Sequence, residues 1–165
     1  MKLKEEIINK LQARGVELSD IAEVAYHLQK PYSKDLKLED CLVAVKHVLE
    51  KREVQYTVLT GIALDILVEE EKVEGALAKI IREDEPLYGV DESLALAIAN
   101  IYGSVGFTSF GYLDKDKMGI MKELDTTKEQ VNTFLDDLVA GVASAASAKI
   151  AHQNKNKELD EAEIS

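Results

Sequence analysis

Apolar residues recur three and four positions apart along almost the whole chain, the spacing that gathers them on one face of an α-helix. Leu3, Ile7, Ile8 and Leu11 mark a first amphipathic helix, with Gly15 as its stop. Ile21, Val24, Ala25 and Leu28 mark a second, capped by Ser19 and ended at Lys30-Pro31. A third helix is expected over 38–51, with Leu42, Val45, Val48 and Leu49 inward. A fourth, over 52–71, is apolar on nearly every side (Val58, Leu59, Ile62, Ala63, Leu64, Ile66, Leu67), the mark of a buried helix. A short fifth helix covers 74–82. Asp91 is placed to cap a sixth, carrying Ala95, Leu96, Ile98, Ala99 and Ile101.

From Gly103 to Asp125 the periodicity weakens. Gly103, Gly106, Gly111 and Gly119 recur there with Phe107, Phe110 and Tyr112 between them, so a long functional loop is expected, broken by a short helix at 118–124. Thr126 and Glu129 have the spacing of a capping box, after which a last long helix should run to about His152. Its segment 140–148 is built from Ala, Gly and Ser, small enough to let neighbouring helices approach on several sides. No strand alternation or repeat is visible. The pattern therefore predicts an all-α, single-domain bundle of about six main helices over residues 1–153. It has a central buried helix, and a polar tail at 154–165 is expected to be disordered.

Composition narrows the functional classes. Only Pro31 and Pro86 interrupt 165 residues, and tryptophan is absent, so the core must come from Leu, Ile, Val and Ala. The net charge of −11 argues against nucleic acid, because phosphate contacts need clustered Lys and Arg. A lone cysteine, Cys41, excludes an internal disulfide and sits in an apolar helical stretch as a core residue. With no targeting segment or membrane-spanning run in view, the expected location is cytoplasmic.

Candidate chemistry concentrates on the last helix, where the adjacent carboxylates Asp136 and Asp137 enter a small-residue environment. Burying two neighbouring carboxylates costs several kcal/mol and adds mutual repulsion. Basic partners, a divalent cation or an open cleft must offset that, and salt bridges or solvent exposure are as compatible with the spacing as a metal. Oxygen ligands of this kind suit Mg²⁺ or Mn²⁺, and Thr133 lies one turn away to add another. Asp65, the only charge between Glu53 and Glu69, is a second acidic candidate, although the solvent edge of its helix also accounts for it. In the glycine-rich stretch Ser104 and Thr108 could face a phosphate, with Lys115 and Lys117 supplying positive charge. The terminal Gly-Lys-Ser/Thr of a P-loop is missing.

The runs Tyr88-Gly-Val-Asp-Glu, Tyr102-Gly-Ser-Val-Gly-Phe-Thr, Gly111-Tyr-Leu-Asp-Lys and Thr133-Phe-Leu-Asp-Asp, with Arg52-Glu-Val-Gln and Leu59-Thr-Gly-Ile, resemble the soluble Bacillus-type relatives of phosphatidylglycerophosphatase A. The likeness covers residues 5–153. In the membrane-bound phosphatase an Asp-Glu pair is followed two residues later by Gly; here Asp136-Asp137 is similar, with Gly141 one step late, and the Ala-Pro-Gly-Thr core of the glycine-rich segment is absent. The resemblance implies a helical, Mg²⁺-dependent phosphatase. It would act on phosphatidylglycerophosphate or a smaller phosphate ester, peripherally at a membrane surface, with Asp136 and Asp137 on the metal. Asp65 is a candidate base; Ser104, Thr108, Lys115 and Lys117 are candidates for the phosphate. The competing expectation is a non-catalytic regulatory or scaffolding protein, a homodimer packed through its small-residue helices.

Overall fold

The structure, a computed structural model, describes residues 2–164. Every regular element among them is helical: α1 (Leu3–Ala13), α2 (Leu18–Gln29), α3 (Leu38–Val48), α4 (Arg52–Glu69), α5 (Gly75–Arg82), α6 (Val90–Ala99), α7 (Ser104–Lys115), α8 (Ile120–Thr126) and α9 (Leu135–Ile164). Short 3-10 turns at Lys30–Tyr32 and Asn100–Tyr102 extend α2 and α6. The all-α expectation holds, with nine α-helices among the described residues where about six were anticipated.

The central helix is α9. Every residue from Leu135 to Ala148 is buried, and α2, α3, α6 and α7 pack around it, with α4 and α8 at its start. Small side chains make this possible. A methyl group at Gly141 would fall 2.8 Å from the carbonyl oxygen of Ala95, so α6 and α9 touch backbone to side-chain-free backbone. A methyl at Gly61 would meet Leu138 at 2.5 Å, which sets α4 equally close to α9. Gly106 does the same for α7, its missing Cβ occupied by the Ala99 carbonyl at the end of α6.

Several expectations change for identifiable reasons. The stretch expected to be a functional loop, 103–125, is mostly helix, because Gly106 serves close packing while Phe110 and Leu113 fill the core. Helix α4 is not apolar-buried on all sides: Val54, Val58, Ile62 and Val68 face inward, whereas Leu67 is 38% exposed beside exposed Tyr56, Thr60 and Ala63. Ser19 and Asp91 are not caps. Asp20 accepts the Glu17 N–H at the start of α2 at 2.7 Å, and Gly89 precedes α6 in a left-handed conformation. The Thr126–Glu129 capping box does not form either; Thr126 ends α8, its hydroxyl donating to the Lys122 carbonyl at 2.9 Å, and α9 starts at Leu135.

The last helix also continues through Ile164, where a disordered tail was expected. Residues 155–164 are exposed but rich in Lys, Glu, Leu and Ala and free of Gly and Pro, so the helix has no reason to stop. Cys41 is buried as anticipated; burial, then the neighbouring Asp40 charge, pushes its thiol up to about 11.

These contacts predict opposite outcomes for two glycine-to-alanine changes. Gly141→Ala should lose about 1–3 kcal/mol in urea unfolding, because its methyl has no room against the Ala95 backbone. Gly111→Ala, with open space around its Cβ position on the outer face of α7, should gain up to about 1 kcal/mol from helix propensity.

Candidate active site

The start of α9 is fixed from four directions. Asp65, fully buried on α4, accepts the N–H groups of Phe134 (3.0 and 3.2 Å) and Leu135 (2.9 Å). It thus caps a helix 70 positions away in sequence, a role usually taken by a residue just before the helix. Arg14 donates to the Val131 carbonyl, to Asn132 Oδ1 at 3.2 Å and to Glu69 at 2.9 Å; Glu69 in turn accepts the Val131 N–H at 2.9 Å. The Thr133 hydroxyl donates to the Ile81 carbonyl, which ties the approach to α9 to the end of α5. Tyr88 packs edge-on against Phe134 with ring centroids 5.9 Å apart.

Asp65 therefore lies neither at a solvent edge nor at the open face of the acidic site. Both its oxygens hold backbone. Burial pushes its carboxyl up to about 7, against the lowering pull of the two N–H groups and of Arg14. Glu69 likewise is tied to Arg14 and Val131, not left as a solvated helix end.

Asp136 and Asp137 are both buried in the first turn of α9. Asp136 turns one oxygen back to accept the Asp137 N–H at 2.8 Å and gives the other to Lys117 Nζ at 2.5 Å. Lys117 also reaches Asp125 at 3.1 Å. Burial works against the lysine's charge, but the attraction of Asp136 and its hydrogen bonds to Asp136 and Asp125 outweigh this and raise its pKa. Asp137 has no such cation of its own. Its partner is the side chain of Asp91, another acid, in the first turn of α6. Burial, then Asp136 and Asp91, hold the Asp137 carboxyl well above the usual range, and burial does the same to Asp136 despite Lys117.

The register explains the meeting. Asp91 faces Asp137 and, one turn on, Ala95 faces Gly141, so α6 and α9 run parallel at contact distance with their N-termini together. Two helix N-termini, each favouring negative charge, converge on the acids. Around them lie Asp84 and Asp125, which with Asp136 offer carboxylate oxygens all within 4.8 Å of one another. Asp84 holds a left-handed backbone (φ 49°) in the turn that closes α5, where glycine would be relaxed. Asp91 is 6% exposed and its Oδ1 has no hydrogen-bond partner. Five carboxylates thus share one lysine.

Of the residues singled out in the sequence, the fold brings Asp136, Asp137 and Lys117 together and sets Asp65 behind them. Lys115 ends α7 on the surface. Ser104 and Thr108 lie elsewhere, in a groove that Ser147 also lines, three turns and about 16 Å along α9 from Asp136. Asp84, Asp91 and Asp125 were not singled out as site residues. A signal for Asp91 does exist: Asp91 and Asp137 are each followed four residues later by a small residue, Ala95 and Gly141, the mark of two first turns packed in parallel.

A helical bundle with a carboxylate cluster where two parallel helices begin defines an all-α protein with a largely buried acidic centre. The chain belongs to the phosphatidylglycerophosphatase A family, whose model matches residues 8–152. It is 50% identical over 150 residues to the uncharacterized protein YutG of Bacillus subtilis, covering 90% of each chain. The crystal structure of ypjQ from Bacillus subtilis superposes with a TM-score of 0.91 at 46% identity, covering 94% of this chain and 96% of that one. The low temperature requirement C protein from Listeria monocytogenes gives a TM-score of 0.91 at 48% identity, covering 94% and 98%.

The acids predict an unusual pH response without added metal. Carboxyls raised in the fold bind more protons folded than unfolded, so stability falls as pH rises from the unfolded value near 4 toward the folded one, about 7 for Asp65. In EDTA, the melting temperature should be higher at pH 5 than at pH 8. Asp137→Asn should raise the pH 8 value and narrow the gap; a gap unchanged by the substitution would contradict this account of the cluster.

Proposed function

We propose that the protein is a divalent-cation-dependent phosphatase that hydrolyses a phosphate monoester, with phosphatidylglycerophosphate of phospholipid synthesis as the substrate its family points to. The carrying observation is the buried contact between Asp91 and Asp137, with Asp91 Oδ1 unpartnered, in a cluster whose one lysine is already committed to Asp125 and Asp136. Two buried carboxylates in contact are stable only when they share a proton or a cation.

The donor set fits the cation its family implies. Asp84, Asp125 and Asp136 would hold it with hard oxygen atoms, the ligands that Mg²⁺ and Mn²⁺ prefer, and Asp91 Oδ1 is a further oxygen with no other partner. Bound there, the ion would polarise a phosphoryl oxygen and ease deprotonation of water. Lys117 keeps Asp125 and Asp136 from repelling each other and adds positive charge beside the phosphate. Hydrolysis joins a water oxygen to phosphorus and breaks the ester P–O bond, so one proton leaves the water and one reaches the departing alkoxide. The Asp91–Asp137 contact, two buried carboxyl side chains side by side, is suited to passing a proton in that exchange. No helix among the described residues is long and apolar enough to cross a membrane, so a lipid substrate would be met at the bilayer surface.

The assay is phosphate release from phosphatidylglycerophosphate and from soluble monoesters, with Mg²⁺, Mn²⁺ or EDTA. Asp137→Ala should lower turnover about a hundredfold or more, the effect of losing a few kcal/mol of charge stabilisation. Asp84→Gly should relax the left-handed turn and raise metal-free stability by about 1 kcal/mol, yet shrink the rise in melting temperature that Mg²⁺ produces. Background turnover on every ester, with a melting temperature indifferent to Mg²⁺ and Mn²⁺, would instead leave a helical scaffolding protein.

A further inference from the structure

Helix α4 has two faces, and the bundle uses one of them. Val54, Val58, Gly61, Ile62, Asp65 and Val68 are buried against the core. On the opposite side Tyr56, Thr60, Ala63 and Leu67 are all exposed, Tyr56 by 55% and Leu67 by 38%. These four follow one another in steps of four, three and four, and Glu53 and Glu70 continue the alternation by three at either end. That is the spacing of a helix that pairs with another helix. Leu59 and Ile66 lie half-buried along one edge of the stripe, Thr57 and Leu64 along the other.

The face is drier than its residue names suggest. The Thr60 hydroxyl donates to the Tyr56 carbonyl and the Thr57 hydroxyl to the Glu53 carbonyl, both at 2.7 Å. Each threonine thus meets its hydroxyl within the helix and keeps a methyl group to present. The only charge between Glu53 and Glu69 is Asp65, and it is buried on the other face. An apolar strip of this kind, with charges only at its ends, marks an interaction surface.

The strip is complementary to itself. Turned end for end about a point between Gly61 and Ile62, it sets Tyr56 against Leu67 of a second copy and Thr60 against Ala63. The small pair falls at the centre, where two helices approach most closely, and the large pair flanks it. The ends agree with this direction. Lys51-Arg52-Glu53 at the start of α4 is net positive, and Glu70-Glu71-Lys72 at its end is net negative. Antiparallel pairing sets unlike ends together, as the helix dipoles also favour, whereas parallel pairing sets like on like. Lys72 now holds Glu70 in an exposed pair at 2.5 Å, which is exchanged at little cost. Beside Tyr56 and Arg52 the surface sinks into a depression walled by Leu3 and Ile8 of α1, open to Leu67 of the second copy.

We infer that two copies of this chain associate through the exposed faces of α4, antiparallel, about a twofold axis at Gly61 and Ile62. A stable pair buries upward of about 1,000 Å² in all, so the α1 wall belongs to the contact as well. The small-residue segment of α9 is enclosed within one chain and offers a second copy no surface. The pairing face lies opposite Asp65 on α4 and does not rest on the phosphatase reading.

The test is sedimentation equilibrium of the full chain at micromolar concentration, which should give twice its 18.3 kDa. Ala63→Glu, which places charge at the centre of the seam, and Leu67→Lys should each weaken association at least about tenfold. Both positions are exposed in one chain, so circular dichroism should show the helices of these variants intact. Phe107→Ser, at an exposed position on α7, should leave the mass unchanged. Arg52→Glu should weaken the pair, and adding Glu70→Arg should restore it. Under mild oxidation a mixture of Thr60→Cys and Ala63→Cys chains should link to each other, and Glu53→Cys chains should not link to themselves. A parent of single-chain mass, or a mass unmoved by Ala63→Glu, would overturn the inference. Linking of Glu53→Cys in preference to the mixed pair would overturn the antiparallel arrangement.

Discussion

The carboxylate of Asp65 against the first N–H groups of α9 is the contact on which the rest of the molecule depends. A helix start inside a protein brings backbone donors that cannot reach water, and leaving them unmet would cost more than most single contacts supply. A distant acid on α4 meets them here, with Arg14, Glu69 and the Thr133–Ile81 bond pinning the approach segment. Once that start is fixed, every later position of α9 is fixed by the helix itself: Asp136 and Asp137 in the first turn, Gly141 in the second, Ser147 two turns further on. The acidic centre and the groove lined by Ser104, Thr108 and Ser147 are thus two stations on one rigid rod.

The geometry also explains how five acids coexist. Parallel packing of α6 and α9 brings two N-termini together, and only small residues at the contact allow it; a side chain at Gly141 would drive Ala95, and Asp91 with it, away from Asp137. The helix ends and Lys117 offset part of the repulsion. What remains raises the affinity of the cluster for protons and, by the same electrostatics, for a cation. Repulsion among the acids is thus a stability cost that becomes binding energy for whatever positive species enters.

Much of this was legible in the sequence. Helical periodicity gave the fold class, and the run of Ala, Gly and Ser at 140–148 identified the central helix because small residues have few other uses in a buried helix interior. The Asp136–Asp137 pair stood out for the same reason, as charge where volume is scarce. Legibility failed where a local signal had a tertiary competitor. Glycine reads as a turn, yet Gly106 is glycine because the Ala99 carbonyl occupies its Cβ position, so a helix was mistaken for a loop. Thr126 and Glu129 spell a cap, but the true cap of α9 comes from α4, a distance no local motif can span. The polar run after Asn154 suggested disorder, although its residues are good helix formers continuing a helix anchored in the core.

The same competition bears on Asp84, Asp91 and Asp125, which the sequence did not nominate. Each sits where an aspartate has an ordinary explanation: the end of one short helix, the first turn of another, the last turn of a third. Only the three-dimensional closure of α5, α6 and α8 around the start of α9 turns these surface-like acids into a cluster. Asp84 shows that this arrangement is not simply the easiest one for the chain. Its backbone is held in the left-handed region, where glycine would remove the strain, so the carboxylate occupies that corner at the expense of stability. Another exposed residue, Glu71, closes α4 in the same conformation and is not one of the clustered aspartates, so strain alone identifies nothing. It becomes informative beside Asp136 and Asp125, because there the strained residue supplies an oxygen to a group whose charges already repel. A fold selected for stability alone would place no further negative charge at that point.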